Sequence, residues 1–202
     1  MGNSYKKGRP SGNSNPSYAL STSQIHSLMN SCCGKHGLRN RAIVALGLHS
    51  GARIGTIINL TWSHIADNLR RCKTSYVIQA KNEKSGKTNR YYITKQGQNL
   101  IQDYLNSLNY TDDMPLFPSN RGNFMSPSSG SRLVANLLKK ANILDNSSHS
   151  LRKTFISTLY VKHGLGLAEL ASLCNHSSIE TTRIYVQGLE PNIQAAMLNL
   201  NY

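Results

Sequence analysis

The chain has 202 residues, of which 39% are hydrophobic, a length and composition typical of one domain with a sizeable core. No apolar run reaches the ~18 residues of a transmembrane helix, and the polar residues 1–16 lack the apolar centre of a secretory signal. Lys and Arg number 23 against 9 Asp and Glu, which gives a formal net charge of +14. Such an excess indicates a polyanionic partner, usually DNA or RNA, with a merely basic protein as the alternative.

The cysteines and the missing nucleotide motifs bear on cofactors. Cys32, Cys33, Cys72 and Cys174 show neither C-x-x-C spacing nor paired histidines nearby, which predicts no zinc site and no disulfide framework. Free thiols favour a reducing, cytoplasmic compartment. The chain also lacks a G-x-x-x-x-G-K-[ST] loop and clustered carboxylates for two-metal chemistry. We therefore expect no cofactor and no metal.

The N-terminal residues 1–20 are rich in Gly, Ser, Asn and Pro and contain no acid. This composition buries too little apolar surface to offset its ordering entropy, so we predict a mobile basic arm. Its cations are candidate contacts to a nucleic acid: Lys6, Lys7 and Arg9.

Most of the remaining chain has the apolar periodicity and capping residues of helices. The predicted ranges are 22–33, 38–49, a short helix after Arg53 covering Ile57, Ile58 and Leu60, then 95–108, 128–141, 150–163, 167–174, 178–186 and 191–200. In the second helix the apolar residues predict one buried face: Leu38, Ala42, Ala45 and Leu46. Ser177 and Glu180 match a capping box.

One β-hairpin interrupts the helices. Residues 75–79 and 90–93 are rich in Tyr, Val and Ile, which predicts its two strands. Their connection, 81–89, is polar and rich in lysine, so the hairpin places ammonium groups at its tip. Together these elements predict a mainly α fold with a small antiparallel β-sheet (α+β).

Five residues, in a fixed order along the chain, can surround one phosphodiester: Arg53, His149, Arg152, His176 and Tyr185. Arginine pairs bidentately with phosphate oxygens, so two of them can stabilise the additional negative charge of a pentacovalent transition state. Histidine transfers protons near neutral pH. Tyr185 is the candidate nucleophile, because nearby guanidiniums favour a phenolate. A covalent phosphotyrosine conserves the energy of the broken bond, so rejoining needs neither ATP nor a metal.

Each residue alone has a purely structural interpretation. Arg53 can be a surface or helix-capping arginine, and His149 with Arg152 can be an exposed pair in a first helical turn. His176 can cap the carbonyls of a helix end, and Tyr185 lies at the spacing of a half-buried core residue. Only the joint order of the five favours a catalytic site.

Joined in this order, the motifs resemble those of the tyrosine recombinases, also called phage integrases. The resemblance covers roughly residues 22–190 and implies the catalytic-domain fold of that family, with the five residues above in the active site. It rests on these segments: Gly51-Ala52-Arg53-Ile54 with Leu60-Thr61-Trp62-Ser63-His64-Ile65, then His149-Ser150-Leu151-Arg152-Lys153-Thr154-Phe155, and Leu173-Cys174-Asn175-His176-Ser177-Ser178 with Thr181-Thr182-Arg183-Ile184-Tyr185.

The resemblance also implies a catalytic lysine on the hairpin. Lys84 matches the first lysine of the family's Lys-Thr-Gly-Lys-type turn and would donate a proton to the leaving 5′ oxygen. Lys87 is the alternative, because the hairpin register is not readable to one residue. Further cations are expected to contact DNA: Lys81, Lys87, Arg90 and Lys153, with Lys6, Lys7 and Arg9 of the arm.

Three positions depart from the family pattern. Thr56 stands where an acidic residue that supports the site is common, Asn175 replaces a glycine, and Lys153 stands where histidine is frequent. Asparagine tolerates left-handed backbone angles. Thr56 is expected to weaken the hold on Arg53 or His149, with modest activity as the result.

We divide the chain into the basic arm at 1–20, a catalytic domain at 21–189 and a C-terminal helix at 190–202. Family members often carry an N-terminal helical domain that clamps the opposite face of the DNA. The chain is therefore either a naturally short member or a fragment. In the family the last helix commonly packs on a neighbouring protomer, and the sequence leaves open whether this one does so or folds onto its own domain.

The resemblance implies a site-specific recombinase that cleaves and rejoins double-stranded DNA through a 3′-phosphotyrosine on Tyr185. It further implies a homotetramer in the synaptic complex, accessory DNA-bending proteins as possible partners, no membrane, and a cytoplasmic location in a bacterial, archaeal or phage-infected cell. One alternative is a helix-turn-helix regulator built on residues 167–185, which leaves Arg53 unexplained. The other is a type IB topoisomerase-like enzyme that relaxes DNA.

Overall fold

The structure is a computed structural model that describes residues 18–83, 86–109 and 114–186. Most of the predicted arm, with Lys6, Lys7 and Arg9, as well as Lys84 and the predicted helix 191–200, lies outside the described residues. The elements in chain order are α1 (Thr22–Ser31), α2 (Gly37–Ser50), α3 (Ile54–Ile58), α4 (Trp62–Ile65), β1 (Ser75–Ile78), β2 (Asn89–Tyr92), α5 (Lys95–Asn106), α6 (Pro127–Lys140), α7 (His149–His163), α8 (Leu167–Leu173) and α9 (Ile179–Val186).

The fold class is the predicted one, a mainly helical domain with a two-stranded antiparallel sheet. Capping residues account for several boundaries. Ser21 Oγ accepts a hydrogen bond from the backbone N–H of Gln24 at 3.2 Å, and Gln24 Oε1 accepts one from the backbone N–H of Ser21. This capping box begins α1 where expected. All four cysteines are unpaired thiols, as predicted. Within the described ranges no helix is long and apolar enough to cross a membrane.

The prediction that α2 is amphipathic is wrong. Leu38 is exposed, whereas five consecutive residues, Ala42 to Leu46, are completely buried. The cause is tertiary packing, because α3, α5 and α7 all contact α2. Residues 42–48 are therefore buried on every side of the helix, without a solvent-facing stripe. This burial makes α2 a rigid base for the residues that follow its C-terminus.

The prediction that the short helix after Arg53 includes Leu60 is also wrong, because α3 ends at Ile58. Leu60 is fully buried, and its carbonyl accepts the N–H of Leu116 at 2.8 Å. This contact draws the backbone away from the helical path. The following short helix, α4, was not predicted.

The capping box predicted from Ser177 and Glu180 lies one residue too early. Helix α9 begins at Ile179, and Ser178 Oγ accepts the N–H of Thr181 at 3.4 Å. Glu180 is directed instead towards Arg183 on the next turn, at 3.9 Å. Two serines in succession offer the same capping chemistry, so composition alone does not choose between them.

The hairpin is confirmed, with Ser75 opposite Tyr92 and Ile78 opposite Asn89. Its buried face carries Tyr76 and Tyr91, whose rings stack with centroids 5.1 Å apart. After β1 a 3-10 turn at Ala80–Asn82 bends the chain back. This turn leads into Glu83, whose side chain is buried against the inner face of the hairpin.

Two apolar clusters meet on α7. Leu151 belongs to the main core, whereas Phe155, one turn later, belongs to a second cluster under α8 and α9. Gly51 lies against this junction, because a Cβ at Gly51 would come within 2.3 Å of Phe155 Cδ1. Its φ of 64° lies in the left-handed region, which favours glycine at this position. The close approach places the end of α2 beside Arg152, which lies between the two clusters.

Candidate active site

Arg152 is the centre of the candidate site. Its side chain is 1% exposed. The guanidinium donates to the carbonyls of Gly51 and Cys174, and its Nη2 lies 2.9 Å from Nε2 of His176. These contacts join the end of α2, the first turns of α7 and the end of α8 around one buried positive charge.

Arg53 follows Gly51 by two residues and lines the same cleft as His176. It is the N-cap residue of α3, in an extended backbone conformation, and its side chain is partly buried. Its Nη1 atom is buried and has no hydrogen-bond partner among the described residues. A buried N–H donor without a partner costs free energy and marks a position where an acceptor is expected to bind.

His176 is held at both ring nitrogens. Its Nδ1 lies 2.7 Å from Thr182 Oγ1, and its Nε2 faces Arg152. A guanidinium only donates, so Nε2 accepts and the proton is assigned to Nδ1, which donates to Thr182. Burial, followed by the charges of Arg152 and Arg53, lowers the pKa of His176 from 6.5 to about 4. The imidazole is therefore neutral at physiological pH.

Tyr185 lies directly beside His176. The two rings stack with centroids 5.3 Å apart and an interplanar angle of 24°. Ser157 Oγ of α7 donates to the backbone carbonyl of Tyr185 at 3.2 Å and fixes α9 in place. Thr182 and Tyr185 share α9, so one helix supplies both the contact that orients His176 and the candidate nucleophile.

His149 is the first residue of α7, one helical turn before Arg152, and its side chain is exposed. The two side chains therefore leave the same helix in similar directions, Arg152 into the buried centre and His149 nearer to solvent.

An open cleft of about 500 Å³ is lined by two of the candidate residues, Arg53 and His176. Its described lining contains no Asp or Glu, and its polar groups include Arg53, Lys87, Asn175 and His176. Asn175 Nδ2 is buried without a partner among the described residues, as is Arg53 Nη1. Asn175 also has a φ of 53°, the left-handed conformation that asparagine tolerates better than most residues. A cleft bordered by cations and unpaired N–H donors is suited to an anion.

Three of the predicted DNA contacts, Lys81, Arg90 and Lys153, do not line the cleft. Lys81 is exposed in the 3-10 turn, and Arg90, exposed on β2, donates to Ser75 at 3.3 Å. Lys153 is half-buried, with its Nζ 5.9 Å from the centre of the Tyr18 ring. Among the described residues, Lys87 is the predicted DNA contact that lines this cleft, together with His176.

Two residues that sequence reasoning missed support the site, Thr182 and Glu83. Thr182 is fully buried and orients His176. Glu83 accepts hydrogen bonds from Tyr91 at 2.7 Å and from Thr56 at 3.3 Å. A carboxylate therefore lies beside Thr56. From the sequence, the lack of an acidic residue at position 56 was expected to weaken the site. The sequence signal was faint, namely an acid directly before Lys84 in a lysine-rich turn.

The depressed pKa of His176 predicts a pH-dependent stability. The unfolded chain takes up a proton on this residue near pH 6.5, whereas the folded chain does so only near pH 4. Between these values the unfolded state binds more protons, so the free energy of unfolding falls as the pH falls. We expect His176→Gln to reduce this fall by about 1 kcal/mol, allowing for the half-exposed ring.

Urea unfolding of both proteins near pH 7 and near pH 5 measures the effect. The pKa values of His36, His49 and His64 are also lowered, but these residues contribute equally to wild type and variant. An equal loss of stability in the two proteins would show that His176 is not the residue responsible.

Comparisons with known proteins show the family of the chain. The model of the phage integrase family matches residues 19–190. The chain is 31% identical over 153 residues to the tyrosine recombinase XerH of Campylobacter jejuni, covering 73% of this chain and 41% of the relative. It is 27% identical over 183 residues to XerC of Caldanaerobacter subterraneus, covering 88% and 49%. The chain thus spans about half the length of these relatives or less.

Solved structures show the same fold. The crystal structure of XerA recombinase superposes with a TM-score of 0.72 at 25% identity, covering 93% of this chain and 67% of that one. The catalytic domain of bacteriophage HP1 integrase gives a TM-score of 0.58 at 21% identity, covering 91% and 95%. The family match extends over most of the chain and includes all five residues first singled out in the sequence. The chain belongs to the phage integrase family.

Proposed function

We propose that the chain is a site-specific DNA recombinase that breaks and rejoins strands through a covalent 3′-phosphotyrosine on Tyr185. Arg53 and Arg152 bind the non-bridging oxygens of the scissile phosphate and stabilise the transition state. His149 hydrogen-bonds the phosphate or transfers protons, and neutral His176 holds Arg152 and the ring of Tyr185 in place. A hairpin lysine protonates the leaving 5′ oxygen, and the 5′ hydroxyl of a second strand later reverses the reaction.

The observation that carries this proposal is the stacked contact between Tyr185 and His176, whose Nε2 faces Arg152, beside a cleft with unpaired donors. A phosphate in the cleft would satisfy those donors and lie next to His176, on which the ring of Tyr185 stacks. The structural relatives include the recombinase XerH, which was solved in a post-cleavage complex with a palindromic difH substrate. Duplex DNA as the substrate of this chain accords with its net charge of +14.

The partners belong to the same proposal. Strand exchange requires two duplexes and several active sites, so we propose a homotetramer in the synaptic complex, with accessory DNA-bending proteins as further candidates. The basic arm, with Lys6, Lys7 and Arg9, would track a DNA groove, and residues 190–202 would join protomers. Lys81, Arg90 and Lys153 would contact the backbone. The reaction would take place in the cytoplasm, where the DNA of a bacterial, archaeal or infected cell lies.

We propose Lys84 as the general acid, with Lys87 as the alternative. On DNA with a bridging oxygen, Lys84→Met is expected to slow cleavage by about 10²- to 10⁴-fold. On DNA with a 5′-bridging sulfur, a leaving group that needs no proton, the same variant should cleave nearly as fast as wild type. Quenched time courses with the two substrates measure the ratio.

Lys87→Met is the matched control. If Lys87 only contacts phosphate, its loss weakens DNA binding and lowers the salt slope by about 0.9, without a selective gain on the sulfur substrate. If the sulfur substrate restored cleavage by Lys87→Met but not by Lys84→Met, Lys87 would be the general acid and Lys84 the phosphate contact.

The proposed function is tested with a pool of nicked duplexes of randomised sequence. Cleavage near a nick releases a short strand, so rejoining stops and the protein stays attached to DNA after denaturation. Sequencing of the captured DNA identifies the site, which is then placed on two plasmids. Joining of the plasmids supports a recombinase, and relaxation without joining supports the topoisomerase-like alternative. DNA binding without any adduct would indicate the helix-turn-helix regulator.

A further inference from the structure

Glu83 is unusual among the described residues, because only Glu83 and Arg152 are both charged and buried. It is 6% exposed in a chain with 9 acids against 23 Lys and Arg. A buried carboxylate is costly unless hydrogen bonds and opposite charges compensate for the lost water. A chain with few acids that nevertheless buries one between α3 and the hairpin indicates a specific role for that carboxylate.

Both oxygens of Glu83 are buried, but only one of them has partners. Oε1 accepts from the Tyr91 hydroxyl at 2.7 Å and from Thr56 Oγ1 at 3.3 Å. Oε2 has no partner among the described residues. Burial and the bond to Glu83 raise the pKa of Tyr91 to about 12, so the phenol stays protonated and donates. The carboxylate is therefore fixed on one side and open on the other.

Thr56 connects this carboxylate to Arg53. Arg53 caps α3, and Thr56 is the third residue of that helix, one turn further along the chain. The bond between Thr56 and Glu83 therefore ties the first turn of α3 to the base of the hairpin. Arg53 Nη1 is buried and unpartnered as well, so a donor of Arg53 and an acceptor of Glu83 are both unused among the described residues.

We propose that Glu83 is a positioning residue of the site, whose carboxylate sets the orientation of the Arg53 guanidinium through Thr56 and the first turn of α3. Its negative charge offsets part of the repulsion between Arg53 and Arg152 when no phosphate is bound. The hairpin thus supplies the acid that position 56 lacks. This inference rests on the proposed function, because Arg53 must act on a phosphate.

The test moves the charge across the hydrogen bond that joins Glu83 and Thr56. Glu83→Gln keeps an acceptor for Tyr91 and removes the charge, whereas the double variant Thr56→Asp/Glu83→Gln returns a carboxylate on the other side of the bond. The substrates are the nicked duplexes captured with the wild-type protein, and the readout is the rate of adduct formation. Thermal unfolding confirms that each variant folds.

We expect Glu83→Gln to form the adduct on the order of 10- to 100-fold more slowly, with unchanged DNA affinity, and the double variant to recover most of the lost rate. A rate for Glu83→Gln within about twofold of wild type would overturn the proposal. A folded double variant that is no faster than Glu83→Gln would do the same. If Glu83→Gln does not fold, the double variant alone decides. If the double variant folds, its rate of adduct formation tests the proposal. If it also fails to fold, Glu83 has a purely structural role, which overturns the proposal.

A substrate with a 5′-bridging sulfur distinguishes an effect of Glu83 on Arg53 from an effect on Lys84, the residue that follows Glu83 in the sequence. Arg53 acts on the non-bridging oxygens, so the defect of Glu83→Gln should persist on this substrate. Full rescue by sulfur would mean that Glu83 acts through the lysine turn, which contradicts the proposal. Wild-type protein forms the adduct in either case, so failure of this inference is distinct from failure of the proposed function.

Discussion

Replacing Tyr185 by phenylalanine is expected to abolish covalent attachment to DNA, with a loss of at least about 10³-fold in the rate of adduct formation. The hydroxyl is the proposed nucleophile, and phenylalanine has none. The ring itself should remain stacked on His176, because the stacking contact does not involve the hydroxyl. We therefore expect the free energy of unfolding to change by less than about 1 kcal/mol and DNA affinity to be retained.

The matched control is Tyr92→Phe, since Tyr92 is an exposed tyrosine on the outer face of the hairpin. It should form the adduct at the wild-type rate. Denaturing gels with end-labelled nicked duplex measure both variants. If Tyr185→Phe still formed an adduct at an appreciable rate, the nucleophile would have to be another residue.

Replacing Arg152 by lysine should reduce both activity and stability. Lysine keeps the charge, but one ammonium cannot reach the carbonyls of Gly51 and Cys174 and the ring of His176 with the planar geometry of a guanidinium. We expect cleavage to slow by at least about 100-fold, as for the loss of one donor to a developing oxyanion. The free energy of unfolding should fall by about 2–4 kcal/mol, because buried acceptors lose charged partners.

Arg90→Lys is the corresponding control on the exposed strand β2, where little change in stability is expected. Chemical unfolding and adduct time courses on the same preparations separate the two effects. A folded Arg152→Lys protein that cleaves within about tenfold of wild type would show that the bidentate geometry of Arg152 is not required.

The sequence predicted the order of elements well, because caps and periodicity act locally. Helix ends such as Ser21 and Gly51 are each determined by a single residue, by the capping hydroxyl of Ser21 and by the left-handed conformation that Gly51 permits. The burial of α2 did not follow, since a helix with neighbours on several sides loses its amphipathic pattern through tertiary packing. Leu38 was assigned to the core because the periodicity rule assumes a helix with only one buried face.

The identity of the candidate site residues could also be predicted, because their ordered motifs carry the family resemblance. Their mutual support could not. The contact between His176 and Thr182 depends on the packing of α9, and the bond between Glu83 and Thr56 joins the hairpin to α3. Such contacts between distant segments leave no periodic signal in one chain. The prediction that Thr56 weakens the site therefore did not include the carboxylate of Glu83, which another part of the fold supplies.

The central claim is that Tyr185 forms a phosphodiester with the 3′ end of a cleaved DNA strand. The most direct measurement is peptide mass spectrometry of the wild-type adduct after nuclease and protease digestion, together with labelling of the released strand. We predict a nucleotide attached to the peptide that contains Tyr185 and a free 5′ hydroxyl on the released DNA. A nucleotide on another residue, or a tyrosine linked to a 5′ phosphate, would contradict the account.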